Sequence, residues 1–266
     1  MRPLVFLSDY GLDDEFVGVC HAVVARIAPG AAVIDLTHGI PPHDVLRGAL
    51  VLAEASRHAP ENAVYLAVVD PGVGTERRGV ALEAGMSLLV GPDNGLLWPA
   101  AEALGGVRAA VEIPLPPGAS ATFHGRDVFA PAAARLSGGE GLTDVGAAVD
   151  PSTLARLEPP SPEVRSGMLR CAVLAVDRFG NVQLAARVEH LERAELDRAP
   201  QVELRSGLRA APVRRARTFA EIPEGEHAIL VDSAGWLAVV RNRASAAEAL
   251  RLAPGDDVVL AAPGFG

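Results

Sequence analysis

The chain contains no lysine; apart from its histidines, every basic residue is an arginine. A Walker-type phosphate loop requires a lysine, so that design is excluded. The arginine usage fits a GC-rich coding bias better than a surface built for phosphates. Aromatic residues make up only 4%, and no basic stripe interleaves with them. The balance is 33 acidic against 24 basic residues, a formal charge of −9. Nucleic-acid binding is set aside on both counts. The acidity gives a weak, salt-screened pull on a cationic small ligand. Cys20 and Cys171 are the only cysteines and have no metal-ligand spacing, so a cytoplasmic protein with reduced thiols is expected. No apolar run reaches the length of a membrane span, and Met1-Arg2-Pro3-Leu4 has no signal-peptide layout; no membrane partner is expected. Also missing are a G-x-S-x-G elbow and an H-E-x-x-H helix. Gly72-Val73-Gly74 is no Rossmann fingerprint, because an arginine pair stands where the pattern needs its third glycine.

What is present points to an α/β protein. The chain has 266 residues, 49% of them hydrophobic, enough for two modest domains. Leu4–Leu7, Val33–Leu36 and Val64–Val69 read as strands. Phe16, Val19, Cys20, Val23, Val24 and Ile27 follow helical spacing between the first two, and a helix from about Asp44 to Ala59 follows the second. Strand, helix, strand, helix, strand predicts a mainly parallel sheet with covering helices. Gly79–Glu83, Ser87–Val90 and Val107–Ile113 are further strand candidates, and Trp98–Leu104 and Val128–Leu136 are predicted helices.

Leu157 to Gly167 holds three prolines in a short span and reads as a linker. Beyond it the rhythm is β-rich: Met168–Val176, Gln201–Leu204, Ala228–Val231, Trp236–Val240 and Asp257–Ala261, with helical signal near Val188–Leu196 and Ser245–Leu250. The expected organisation is an N-terminal α/β domain over 1–156, a linker over 157–167, and a smaller β-barrel-like domain over 168–266.

Each predicted parallel strand stops at a polar loop: Ser8-Asp9-Tyr10-Gly11, Thr37-His38-Gly39-Ile40 and Asp70-Pro71-Gly72. Ligands of open α/β sheets sit at such strand ends. Asp70 is faced by Arg77 seven residues on, and Arg78 is the one expected to point to solvent. Asp9 sits at a strand tip, suited to ligand hydroxyls, whereas Asp13 and Asp14 are read as caps of the first helix. A divalent-metal set from Asp9, Asp13, Asp14 and Glu15, or from His38, His43 and Asp44, is conceivable, with Asp44 better placed as a cap. Thr122-Phe123-His124-Gly125-Arg126-Asp127 puts a histidine beside a glycine, with Asp127 as a natural N-cap. Asp177-Arg178-Phe179-Gly180-Asn181, Ser233-Ala234-Gly235 and Arg241-Asn242-Arg243 read as turns.

Taken in order, these motifs resemble one family, the S-adenosyl-L-methionine (SAM) hydrolases that form adenosine, also called SAM hydroxide adenosyltransferases and related to fluorinase and chlorinase. The resemblance runs along nearly the whole chain. It implies an N-terminal α/β domain, a C-terminal β-barrel-like domain, and a homotrimer with active sites between subunits. It implies Asp70, Arg77 and His124 as the catalytic set. Asp9 would bind ribose hydroxyls, Asp177 and Ser233 the methionine amino end, and Asn181 and Arg243 the adenine end; Tyr10 and Gly125 complete the substrate-binding set. Gly125 stands at the position of a halide-contacting serine, and Asp70 where the halogenases carry tyrosine; both favour water over halide. Ala234 replaces an arginine that meets the substrate carboxylate in fluorinase.

The implied reaction is SAM plus water giving adenosine and L-methionine, with no metal and no cofactor. A sulfonium leaves without acid assistance, so an oriented water in line with the carbon–sulfur bond suffices. Arg77 is expected to lower the pKa of Asp70, which favours positioning and electrostatics over proton abstraction. The alternatives are a SAM-dependent halogenase of chlorinase type, a non-catalytic SAM- or adenosine-binding protein, and a metal-dependent hydrolase.

Overall fold

The computed structural model describes residues 1–263; residues 264–266, the last three of the expected C-terminal domain, lie outside the described residues. The chain forms two compact units, Met1–Glu158 and a second beginning at Pro159. The first runs β1 (Leu4–Ser8), α1 (Phe16–Ile27), β2 (Val33–Thr37), α2 (Val45–Ser56), β3 (Val64–Val68), β4 (Gly79–Ala84), β5 (Ser87–Pro92), α3 (Trp98–Ala103), β6 (Val107–Ile113), a π-helical turn (Gly125–Phe129), α4 (Ala130–Gly138), α5 (Leu142–Val145) and β7 (Ala147–Val149).

Successive residues of a strand face opposite sides of a sheet. Both sides are apolar here, because helices cover both. Leu4, Phe6, Val64, Leu66 and Val68 join Val17, Cys20 and Val24 of α1 and Ala133 and Leu136 of α4 in one core. Val5, Leu7, Tyr65 and Ala67 join Ala49 and Leu52 of α2 and Ala100 and Ala101 of α3 in the other. The strand order is β2-β1-β3-β5-β4-β6-β7. Strands β2, β1, β3 and β5 are parallel, while β4, β6 and β7 are added by antiparallel pairing. The ends of β1, β2 and β3 therefore lie along one edge, and they deliver Asp9, His38 and Asp70 there.

The second unit contains β8 (Glu163–Arg165), β9 (Met168–Val176), β10 (Val182–Leu184), α6 (Val188–Arg193), β11 (Gln201–Ser206), β12 (Arg209–Arg215), β13 (His227–Val231), β14 (Leu237–Arg241), α7 (Ala246–Leu250) and β15 (Asp257–Ala261). Seven strands, β10-β14-β13-β12-β11-β15-β9, close into a barrel through the β9–β10 pairing. Among the described residues of the barrel, only β12 and β13 pair in parallel. Residues opposed across the ladders, such as Leu204 and Leu260, Val258 and Cys171, and Ile229 and Val239, are buried together. Inside the Pro-rich stretch 157–167, Glu163–Arg165 is a strand on β9 and Leu157 packs against the core of the first unit. Each unit buries one cysteine, Cys20 at 0% and Cys171 at 3% exposure, and both are free thiols. Burial pushes each thiol pKa up to about 12. No helix among the described residues is long and apolar enough to cross a membrane.

Candidate active site

Asp70 follows directly on β3, where the buried strand gives way to a turn closed by the Val73 N–H donating to the Asp70 carbonyl at 3.2 Å. Asn94 braces this strand end: its Nδ2 donates to the Val69 carbonyl at 2.8 Å. The loop then turns back ahead of β4 and brings Arg77 against Asp70. Arg77 Nε donates to Asp70 Oδ1 at 3.0 Å, and Nη2 contacts Oδ2, a two-pronged pairing. The remaining guanidinium nitrogen, Nη1, donates to the Arg78 carbonyl at 2.8 Å, and the group lies over the Phe129 ring at 5.3 Å. The two side chains are 6% and 9% exposed, so the pair is shielded from water.

His124 completes the chain. Its Nδ1 lies 3.2 Å from Arg77 Nη2. A guanidinium nitrogen can only donate, so Nδ1 accepts and the imidazole proton resides on Nε2. Burial lowers the pKa of His124, and the Arg77 charge lowers it further against the pull of Asp70 and Asp127. The ring is held as a neutral Nε2–H donor. For Asp70 the sequence expectation is reversed. Burial raises the carboxyl pKa, and the Arg77 guanidinium, His124 and the Gly72 N–H lower it without overcoming that rise. The site thus holds a base stronger than an exposed carboxylate paired with arginine would be.

A cavity of about 240 Å³ is lined by Asp9, Tyr10, Phe16, Pro42, His43, Val68, Asp70, Val73, Thr122, His124 and Gly125. Five of the six expected residues of this unit, namely Asp9, Tyr10, Asp70, His124 and Gly125, therefore share one wall, with Arg77 behind Asp70. Asp9 Oδ2 accepts the His43 N–H at 2.9 Å. His43 adopts a left-handed backbone, φ 67°, a conformation that is costly for a residue with a Cβ and that aims this N–H. The neighbouring cap is as expected: Asp44 accepts the Arg47 N–H at 2.9 Å. Burial pushes the Tyr10 hydroxyl pKa well up, and Cys20, Asp9 and Asp70 add to it, so Tyr10 is a neutral phenol. A Cβ at Gly125 would lie 2.0 Å from Tyr10 Oη; the missing side chain is what lets that ring occupy the cavity wall. Gly125 also opens the π-helical turn, a wide backbone register that recurs at functional sites.

Several expectations are corrected here. Gly74, with φ +78°, would bring a Cβ within 2.4 Å of the Ala121 carbonyl; its missing side chain lets two loops pack. Arg78 is not left to solvent, for its Nε donates to Asp93 Oδ2 at 3.0 Å and its Nη2 to the Thr153 carbonyl at 2.9 Å. Asp93 in turn accepts the Ala155 N–H at 2.8 Å. The turn after β5 that carries Asp93 is thus a brace for Arg78. Asp13 and Asp14 cap nothing: α1 starts at Phe16 with no side-chain cap. Asp127 accepts the Ser120 N–H at 2.8 Å and pairs with Arg126 instead of capping a helix. His38 does not line the cavity; its Nδ1 lies 2.8 Å from Ser8 Oγ.

The second unit gathers its candidates at the barrel. Asp177 closes the β9–β10 hairpin, its Oδ1 accepting the Phe179 and Asn181 N–H groups at 2.8 and 2.9 Å and its Oδ2 accepting Asn181 Nδ2 at 2.8 Å. Asn181 and Arg243 line a cavity of about 490 Å³ with Phe179, Phe219, Arg241, Ala244 and Ser245. The two phenylalanines were missed from sequence, yet they are 73% and 45% exposed. In a chain so poor in aromatics, solvent-facing rings in turns are the signal that could have found them. Ser233 sits in a turn organised by Asp232, whose Oδ1 accepts the Ala234 and Trp236 N–H groups at 2.9 Å each. Beside Ala234, Arg187 stacks over Trp236 at 3.9 Å and donates to the Ala234 carbonyl at 3.3 Å.

A parallel-sheet edge that presents a clamped carboxylate and a neutral imidazole in one cavity is suited to an enzyme that positions a small molecule and stabilises charge. The chain belongs to the SAM hydroxide adenosyltransferase family: the family's N-terminal domain matches residues 4–146 and its C-terminal domain residues 171–259. It is 54% identical over 255 residues to an (R)-S-adenosyl-L-methionine hydrolase of Salinispora tropica, covering 94% of each chain. A fluorinase of Actinoplanes sp. is 29% identical over 287 residues, covering 96% of each. Among solved structures, an uncharacterized conserved protein from Thermotoga maritima superposes with a TM-score of 0.89 at 35% identity, covering 97% of this chain and 99% of that one.

Proposed function

We propose that the protein hydrolyses SAM to adenosine and L-methionine by in-line attack of water on the ribose 5′-carbon. The observation that carries this reading is the Asp70–Arg77–His124 chain, with a buried carboxylate and a neutral Nε2–H imidazole on one cavity wall. Asp70 orients a water and takes its proton as the carbon–oxygen bond forms. The carbon–sulfur bond breaks, its electron pair stays on sulfur, and the sulfonium becomes a neutral thioether; no acid is needed. His124 donates to the developing hydroxide, and Arg77 fixes both partners. Asp9 binds ribose hydroxyls, Tyr10 and Gly125 shape the wall, Asn181 and Arg243 take the adenine end, and Asp177 and Ser233 the methionine amino end. Arg187 supplies the carboxylate contact that Ala234 lacks. The residues call for neither metal nor organic cofactor in this step.

The identity to the hydrolase, well above that to the fluorinase, favours water over halide. We also propose a homotrimer whose sites draw on neighbouring subunits, supported by two open cavities that each carry part of the required residues. A cytoplasmic setting is supported by the two free, buried thiols. The test is turnover of SAM in ¹⁸O-water containing chloride. Adenosine labelled at the 5′-oxygen is the expected product; 5′-chloro-5′-deoxyadenosine, or bound SAM with no methionine released, would overturn the reading.

A further inference from the structure

His21 on α1, Asp35 on β2 and His38 just beyond β2 converge away from the catalytic cavity, and none of them lines it. His21 Nε2 lies 2.8 Å and His38 Nε2 3.1 Å from the same oxygen, Asp35 Oδ1. The three atoms lie within 4.8 Å of one another. The His38 side chain is 3% exposed, and its Nε2 forms no hydrogen bond despite this proximity. A buried ring nitrogen without a partner is unusual and calls for an explanation. The other ring nitrogen is held, at 2.8 Å, by the Ser8 hydroxyl. That is the arrangement by which a second group fixes the tautomer and orientation of a metal-binding imidazole.

We propose that His21 Nε2, Asp35 Oδ1 and His38 Nε2 bind one divalent late first-row cation of the Zn²⁺ class. Two imidazoles and one carboxylate are a donor set such ions favour, with water completing the shell. With both imidazoles neutral, the ion and Asp35 together carry a single net positive charge. His21 and Asp35 are 35% and 44% exposed, which gives the ion a route in and leaves room for its water. The ion ties α1 to β2 and to the segment after it. That segment in turn holds the loop of Asp9 and Tyr10: Gly11 N–H donates to the His38 carbonyl at 2.8 Å, and Tyr10 N–H to Ser8 Oγ at 3.3 Å. The ion's role is to stiffen the β1 loop, not to activate water.

Untagged full-length protein, stripped with a chelator, is titrated with Co²⁺ and followed by its visible absorption, then challenged with Zn²⁺. The expected result is a saturable band at one equivalent that Zn²⁺ displaces, and a melting temperature raised by Zn²⁺. His21→Asn keeps the fold, because His21 is a partly exposed helix residue, and weakens Co²⁺ binding by at least about tenfold. His58→Asn, at a histidine 76% exposed beside Glu54, leaves binding unchanged. Absence of a saturable band, or a His21→Asn variant that binds as tightly as the wild type, overturns the proposal.

Discussion

Replacing Gly125 by alanine puts a methyl group where the Tyr10 ring already stands. The new carbon would meet Oη at 2.0 Å, Cζ at 3.0 Å and Cε2 at 3.3 Å. Tyr10 has little freedom to retreat, since its ring packs at 5.7 Å against both Phe16 and Phe123, and these pack edge-on to each other at 5.1 Å. Gly125 cannot retreat either, because the π-helical turn that follows anchors Val128 and Phe129 in the core. Overpacking of this kind costs about 1–3 kcal/mol, which in a unit of this size lowers the melting temperature by roughly 2–12 °C. Displacing Tyr10 also reshapes the cavity wall, so KM for SAM rises. Gly125→Ser carries the same carbon and suffers the same clash; it is expected to yield no chlorinated nucleoside. Adding Tyr10→Phe to Gly125→Ala removes the 2.0 Å contact and recovers most of the stability. Thermal melts and steady-state kinetics on the three variants decide the matter. A Gly125→Ala protein with wild-type melting temperature and KM would refute the reasoning.

Asp70→Asn is expected to lower kcat by about 10²–10⁴, the usual worth of a positioned base, with little change in KM; an unaltered kcat by product chromatography would remove Asp70 from the chemistry. Activity should fall on acidification as Asp70 takes up its proton, on a limb lying above the ordinary carboxylate value of 3.8 because burial raises this group. Burial and the Arg77 charge lower His124 from its ordinary 6.5, so its own titration limb falls below that value; a His124-dependent break above 6.5 in the pH–rate profile of kcat would contradict this assignment. Arg77→Met strands a buried carboxylate and should cost about 3–5 kcal/mol in urea unfolding. The double variant Asp70→Leu/Arg77→Met should regain most of that stability while remaining inactive.

The N-terminal elements were legible wherever a pattern covered two turns or a full strand. Phe16 to Ile27 announced α1 by its spacing, and the apolar runs before Asp9 and Asp70 announced β1 and β3. Strands of three residues were not: Ala147–Val149, Glu163–Arg165 and Val182–Leu184 have no period to read and exist because a neighbour pairs with them. Arg209–Arg215 was hidden by its proline and by its mostly exposed residues. Within the site, the seven-residue step from Asp70 to Arg77 could be read because one loop makes the contact. Arg78 was misjudged because its partner, Asp93, arrives from another strand end. The pKa of Asp70 was misjudged because a sequence displays the neighbouring charge but not the depth of burial, and burial prevails. His43 was read only as a conceivable metal ligand, since what it contributes beside Asp9 is a backbone N–H.

The two thiols offer a use unrelated to catalysis. One lies in each unit, each sealed inside a core with its pKa pushed up to about 12, so neither reacts while its unit is intact. Alkylation of Cys20 therefore counts openings of the α/β unit, and alkylation of Cys171 counts openings of the barrel. With peptide mapping, one sample of unmodified protein reports separately on how often each half breathes. Ligand added to that sample would show which half it quiets.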